Sequence, residues 1–282
     1  MKRRTFLKIA GSSLTVAASV GFYTWRIEPH WVEVVRRPMP IRGLPPSLVG
    51  KTLVHLSDIH VGTRVDDDYL IATFQRVAAM HPDIVVMSGD LTSYYGGILP
   101  QLKSVFTHVP QGRLATLAIL GNHDYGAGWS NFEGAAGIAK TIAQCGVTVL
   151  RNEVYDAGGL QVVGLDDLWA GQFHPRGPLS QLDAQRPSIV LSHNPDTVDL
   201  PDWDGYQGWI LAGHTHGGQC KPPFLPPPYL SVQNRRYTSG EFDLRGDRKL
   251  YINRGLGHLL QVRFNVRPEV TVFELCSSAG TR

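Results

Sequence analysis

Residues 121–124, Gly121-Asn122-His123-Asp124, follow an apolar run at 114–120, and the fold is read outward from them. Ala115-Thr116-Leu117-Ala118-Ile119-Leu120 is short, almost wholly apolar and stopped by glycine, the pattern of a strand covered on both faces. Strands of that kind present ligands at their C-terminal ends. An amide, an imidazole and a carboxylate at three successive positions are costly to bury unless a metal, a substrate or one another satisfies them. The same four residues also read as an Asx-type turn with a helix N-cap, so their companions have to decide.

Four other apolar runs end alike. Residues 53–57 lead into Asp58-Ile59-His60, 84–88 into Gly89-Asp90, 189–192 into His193-Asn194, and 209–212 into Gly213-His214-Thr215-His216. Each alone reads as a cap or a satisfied polar residue; five in one chain do not. In the pairs Asp58/His60 and His214/His216, alternate side chains point to one side if the backbone stays extended, which is a chelating geometry.

The series Asp58-x-His60, Gly89-Asp90, Gly121-Asn122-His123-Asp124, Ser192-His193 and Gly213-His214-Thr215-His216 resembles, in order, the five motifs of the calcineurin-like metallophosphoesterases. The stretches Gly164-Leu165-Asp166-Asp167-Leu168-Trp169-Ala170-Gly171, Gly217-Gly218-Gln219 and Arg267-Pro268-Glu269-Val270-Thr271 look like the exported YaeI/YkuE-type branch of that family. The resemblance implies an α/β fold, a four-layer α/β/β/α sandwich with two mainly mixed sheets and the site at one edge. It assigns Asp58, His60, Asp90 and His216 to one divalent metal, and Asp90, Asn122, His193 and His214 to a second. Asp90 is the natural bridge, because a carboxylate joins two cations well; Mn, Fe and Zn all suit such mixed oxygen and nitrogen ligands. Two such ions activate water and clamp phosphoryl oxygens. His123 diverges from its neighbour Asn122 and takes the family's role of general acid. Asp124 is expected to accept a hydrogen bond from the other His123 nitrogen, orienting the ring and raising its pKa.

At the N-terminus, Lys2, Arg3, Arg4 and Lys8 precede an uncharged stretch at 9–25. Arg3-Arg4-Thr5-Phe6-Leu7-Lys8 resembles the core of a twin-arginine export signal, which implies the twin-arginine machinery as a partner and a periplasmic location or the outer face of the cytoplasmic membrane. Val16-Ala17-Ala18 offers small residues for cleavage, while the run is close to the shortest that spans a bilayer, so a cleaved signal and a retained membrane anchor are both open. Domain organisation follows: 1–26 signal or anchor, 27–50 a connecting segment, 51–282 one catalytic domain.

The net charge of +3 belongs mainly to targeting, since without those four basic residues 23 Lys and Arg face 24 Asp and Glu. No stripe of interleaved basic and aromatic residues is present, so a nucleic-acid partner is not expected. Cys145, Cys220 and Cys276 cannot all pair within one chain and lack CxxC spacing; they read as buried or free thiols with no metal role.

Strand and helix then alternate. Helical spacing at 67–80 ends in His81-Pro82, and further helices are expected at 98–108 and 129–145. Short β-rich runs lie at 147–150, 154–157 and 160–164, with strands near Ile189 and Trp209 and at 249–253 and 270–275.

Three residues are candidates for substrate contact. Asp166 and Trp169 follow a strand and read as cleft-lining, and the Arg254 guanidinium offers a fork for phosphate, with a plain salt bridge as the other reading. Residues 221–229 hold five prolines in nine residues, a stiff wall that could receive an acyl chain or touch membrane, or an ordinary packed loop. The expected function is a dinuclear metal-dependent phosphoesterase that cleaves a phosphodiester or pyrophosphate in a cell-envelope or lipid-linked substrate. The branch resemblance suggests hydrolysis of the UDP-2,3-diacylglucosamine type, in lipid A synthesis. The alternatives are a phosphomonoesterase or nucleotidase, and a non-catalytic envelope-binding protein on the same fold.

Overall fold

Unbroken apolar runs force strands that are buried on both faces, and they set the layering here. The computed structural model describes residues 3–93 and 96–278; Lys2 of the basic cluster and residues 279–282 of the expected catalytic domain lie outside them. In chain order the strands are β1 (Glu33–Ile41), β2 (Thr52–Leu56), β3 (Ile84–Ser88), β4 (Ala115–Ile119), β5 (Thr148–Val149), β6 (Glu153–Ala157), β7 (Leu160–Gly164), β8 (Ser188–Leu191), β9 (Gly208–Ala212), β10 (Gly240–Asp243), β11 (Arg248–Ile252) and β12 (Glu269–Ser277). The helices are α1 (Arg3–Phe22), α2 (Asp67–Ala78), α3 (Leu99–Phe106), α4 (Phe132–Ala143) and α5 (Arg176–Ser180).

Two six-stranded mixed sheets result, ordered β1-β12-β2-β3-β4-β5 and β10-β11-β9-β8-β7-β6. Leu53, Ile84, Val86, Leu117 and Ile119 of the first sheet meet Leu160, Val162, Ile189, Leu191 and Leu211 of the second in a dry central layer. Trp209 joins the two by donating its indole N–H to Pro40 O at 2.8 Å. On the outer face of the first sheet, Leu70, Phe74 and Val77 of α2 pack with Leu102, Val105 and Phe106 of α3 and with Ile138 and Ile142 of α4. Asp66 caps α2 by accepting from the amides of Asp68 and Tyr69, and Asn131 caps α4 at Gly134. The fourth layer is thin: α5 and loop residues such as Trp203, Tyr206 and Tyr237 cover the outer face of the second sheet. The four-layer sandwich expected from sequence is present.

Two expectations need correction. The segment 27–50 does more than connect, because β1 lies parallel to β12, from Glu33 opposite Glu269 to Ile41 opposite Ser277. Pro38 and Pro40 hide this strand in the sequence; they are tolerated because β1 is the sheet's edge, where missing N–H groups break no ladder. The helix expected to begin at 129 begins at Phe132, since residues 126–129 turn tightly through positive φ at Gly126, Gly128 and Trp129. In addition β10 was not anticipated; it closes a hairpin with β11.

Among the described residues no helix is long and apolar enough to cross a membrane. The described side chains of α1 are exposed, and the chain enters the sandwich only after it, through a π turn at Tyr23–Ile27. There Glu28 is buried, with its carboxylate accepting from Val266 N at 2.6 Å.

Candidate metal centre

The polar endings of β2, β3, β4, β8 and β9 converge at one edge of the sandwich. Asp58, His60 and His216 form one group of buried candidate ligands, and Asp90, His193 and His214 another; within each group the ligand atoms lie within 4.8 Å of one another. Asp90 stands between the groups. Its Oδ2 is 3.2 Å from His193 Nε2 and 3.6 Å from His60 Nε2. His60 Nε2 in turn is 3.1 Å from His216 Nε2, and His216 Nε2 is 3.3 Å from Asp58 Oδ1.

The chelating pairs do not arise from an extended backbone, as the sequence suggested. Asp58, His60, Asp90, His214 and His216 all have φ between +48° and +71°. Such residues are uncommon outside glycine and cost about 1–3 kcal/mol each, so the surrounding fold holds them in place. Glycines permit the convergence by close approach: a Cβ at Gly121 would collide with Asp90 and stand 2.8 Å from His193 Nε2, and one at Gly213 would run into Ser57 and Asp58.

Hydrogen bonds then aim the rings. His193 donates from Nδ1 to Ser88 O and His214 donates from Nε2 to Ser231 O, both at 2.8 Å, which leaves His193 Nε2 and His214 Nδ1 facing each other at 3.2 Å. His60 Nδ1 is 3.0 Å from Ser93 Oγ. Asp58 accepts from His214 N with both oxygens at 3.0 Å. Behind Asp58, the buried Arg263 guanidinium gathers the carbonyls of Arg254, Gly255, Gly257 and Val266, tying down the loop whose Gly257 N donates to Asp58 O at 2.6 Å.

Electrostatics separate the rings. Burial pushes His60 and His214 down to about 3 and His216 well below its ordinary value, so these three are neutral. Burial also opposes charge on His193, yet Asp90, Asp58 and Asp167 together lift it to about 10. Asp90 is held well below the usual carboxylate range against its own burial by His193, His123 and His60, while burial raises Asp58 to about 6.

The remaining donor set fits a cation. Asn122 is 1% exposed, and among the described residues neither its Oδ1 nor its Nδ2 has a hydrogen-bond partner. A buried amide left in that state costs about 1–3 kcal/mol, which a divalent ion on Oδ1 would relieve.

Of the other predicted residues, His123 is half-buried, donates its backbone N–H to Asp90 Oδ1 at 2.9 Å and sets its ring against His60, centroids 5.1 Å apart. Asp124 does not reach that ring. Its carboxylate accepts from the amides of Gly121, Leu91 and Thr92 and from the Thr92 hydroxyl, so it clamps two ligand-bearing turns together. Four donors already occupy its lone pairs, and that is why the expected partner is not bound.

Arg254 does not stand unpaired: its Nε bonds Glu269 and its Nη2 bonds Glu33, the salt-bridge arrangement that the sequence also allowed. Nor does Asp166 line a cleft. Buried, it pairs with Arg151 at 2.8 Å and accepts from the Tyr125 hydroxyl, bracing the turn that carries Asn122 and His123. Trp169, by contrast, sits at the site: its ring meets His214 edge-on, centroids 4.4 Å apart, and packs on Trp129 at 4.5 Å. Sequence reasoning missed Trp129, whose signal was the pair of glycines before it; Ser231 and Ser93 gave none. All three cysteines are free.

Clustered imidazoles and carboxylates at the strand ends of a two-sheet α/β/β/α sandwich define a metallophosphoesterase. The chain belongs to the calcineurin-like phosphoesterase family, whose model matches residues 51–218. It is 33% identical to phosphodiesterase YaeI of Escherichia coli (strain K12), over 98% of this chain and 99% of that one. It is 32% identical to the uncharacterized metallophosphoesterase YkuE of Bacillus subtilis (strain 168), over 99% of each, and 26% identical to UDP-2,3-diacylglucosamine pyrophosphatase LpxG of Chlamydia trachomatis serovar D, over 92% and 95%. The protein is accordingly a metal-binding hydrolase of phosphoester bonds.

Proposed function

We propose that the protein cleaves a phosphodiester or pyrophosphate in a lipid-linked substrate of the cell envelope, UDP-2,3-diacylglucosamine being the type suggested by its LpxG relatives. The observation that carries the reading is the position of Asp90, one of whose oxygens lies within 3.6 Å of His60 and 3.2 Å of His193, as a carboxylate shared by two cation sites requires. Asp58, His60, Asp90 and His216 would hold one divalent ion, and Asp90, Asn122, His193 and His214 the other, with Mn, Fe and Zn the candidates. Such ions, when bound, lower the pKa of water and neutralise phosphoryl charge.

His123 carries no metal in this reading. Its ring is free to give a proton to the departing oxygen, and the bond from its backbone N–H to Asp90 fixes where the ring stands. Asp124 keeps the Asn122–His123 turn against the Asp90 turn and is a positioning residue. Trp169 and Trp129 form an apolar wall beside His214, against which the leaving group lies. Residues 1–26 direct the chain to the twin-arginine machinery as a signal or a retained anchor, and the enzyme works at the outer face of the cytoplasmic membrane or in the periplasm.

The test is hydrolysis of matched aryl phosphodiesters and phosphomonoesters by the full chain, with Mn²⁺ and after chelation. Chelator-sensitive cleavage with preference for the diester is expected. Turnover of monoesters alone would replace this reading with a phosphomonoesterase, and no turnover with both metals bound would leave a binding protein.

A further inference from the structure

Charge along the chain is distributed unevenly. Residues 1–27, 219–240 and 257–268 contain no aspartate or glutamate, although the chain has 24 in all. The same segments carry Arg26, Lys221, Arg235, Arg236 and Arg267. They are also neighbours in space. Arg263 N donates to Thr24 O at 2.9 Å and the Gln261 side chain to Trp25 O at 3.2 Å. Gln219, whose own N–H bonds to His216 O, gives its side-chain amide to Leu260 O and Val262 O, and Lys221 N donates to Phe264 O. One surface therefore runs from the metal-ligand turn at His216 to the root of α1.

This basic surface is studded with apolar side chains that the fold leaves uncovered. Trp25, Ile27, Leu225, Tyr229 and Leu260 are exposed, and Phe224 is as accessible as in an unfolded chain. Phe224 also has φ of 65°, a conformation that bulky residues adopt only when their surroundings impose it. Prolines on either side stiffen the segment, and a Cβ at Gly218 would collide with Pro227, so the presenting loop is seated on the ligand turn itself. The Arg26 guanidinium lies over the Trp25 ring at 4.5 Å, an aromatic and a cation side by side as at a membrane interface. The α1 helix adds Leu14, Val16, Val20 and Phe22, all exposed.

We propose that this face docks on the surface of an anionic phospholipid bilayer, with Phe224, Leu225 and Tyr229 entering the headgroup layer and the metal centre opening beside them. The inference rests on the envelope placement proposed above, in its form with residues 1–26 retained, and deepens it: substrate would reach Asp90 from the membrane without fully leaving it. Among the described residues, Asp196 and Asp199 meet the 219–240 segment only at Gln233, Asn234 and Tyr237. Arg26 and Lys221, on segments without acidic residues, favour an anionic surface over a neutral one, and exposed tryptophan and tyrosine suit the boundary between headgroups and acyl chains. Apolar face and basic rim together make the two signals that stable membrane binding requires.

Flotation of the chelated full chain with phosphatidylcholine vesicles, with and without phosphatidylglycerol, tests it in the absence of turnover, so failure here is distinct from failure of the phosphoesterase reading. Binding is expected only to the anionic vesicles and is expected to weaken with salt. The F224S/L225S/Y229S variant and the R26Q/K221Q variant should each bind about tenfold more weakly, with unchanged circular dichroism and thermal midpoint. Equal binding by the triple variant would show that α1 alone carries the affinity and would overturn the proposed face. Binding indifferent to phosphatidylglycerol would overturn the charge argument. A concentration-dependent dimer that the triple variant abolishes, with no vesicle binding, would make a second copy of the chain the occupant.

Discussion

His193 Nε2 stands 3.2 Å from Asp90 Oδ2, and the other nitrogen of the same ring is committed to Ser88 O. Together with Asp58 and Asp167, that carboxylate overcomes the burial of His193 and lifts the ring to about 10. At pH 7 the metal-free chain therefore holds a proton where a cation would bind. A raised pKa means that the metal competes with the proton below about 10 and wins more easily as pH rises, by up to about tenfold per unit for one proton. Titration calorimetry with Mn²⁺ in buffers of different ionisation enthalpy should report release of about one proton at pH 7. Metal uptake without proton release would contradict the assignment.

His123→Ala should lower turnover of substrates with poor leaving groups on the order of a hundredfold while metal content stays unchanged. The dependence on leaving group is the measurement that matters. Equal loss with a strongly acidic leaving group would mean that His123 does not donate the proton.

Trp129 touches Trp169 but none of the candidate metal ligands in the contacts described above. Trp129→Ala should raise KM about threefold to tenfold, as expected for one aromatic contact, and leave kcat and metal content nearly unchanged. A fall in kcat at constant KM would place this residue elsewhere in the cycle.

Arg254 is 19% exposed and bonded to Glu269, which is itself buried. Arg254→Gln leaves that carboxylate uncompensated, so urea denaturation should show a loss of about 3 kcal/mol. KM for a phosphoester should stay within about twofold, because the guanidinium is already occupied. A large rise in KM with unchanged stability would restore it as a phosphate ligand.

His55 is fully buried in β2, with Nε2 2.8 Å from Ser88 Oγ, and burial lowers its pKa to about 3. The unfolded chain takes up this proton near pH 6.5 and the folded chain does not. Its contribution is therefore complete above pH 6.5 and is lost as pH falls from there toward 3, by up to about 1.4 kcal/mol per unit. Chemical denaturation of the wild type and His55→Gln between pH 7 and 4, as a comparison of slopes, should show the wild type losing stability faster; parallel slopes would remove His55 as the cause.

The clustering of the candidate ligands was largely legible because they sit where apolar runs stop, and such endings are visible without any alignment. The layering followed from the same runs. Less visible was how the endings converge: nothing in Asp58-Ile59-His60 announces that two of its residues take positive φ. Partner choice was hidden as well. Arg254 and Asp166 have the right chemistry for a substrate site, but Glu269 and Arg151, distant in sequence from the ligand motifs, had already claimed them. The prolines of β1 argued against a strand, and only its place at the sheet edge reverses that reading.

The pairing of β1 with β12 sets an order of events at the ribosome. As the chain is made, β2, β3 and β4 can align with one another early, but β1 has no neighbour until β12 arrives and takes the place between it and β2. The Glu28 carboxylate likewise waits for Val266 N. The beginning of the sandwich is thus fastened by a strand made some two hundred residues later, and a product that stops before β12 would be left with a loose N-terminal flank. Proteases that act on loose flanks could tell chains that have made β12 from those that have not by that feature alone.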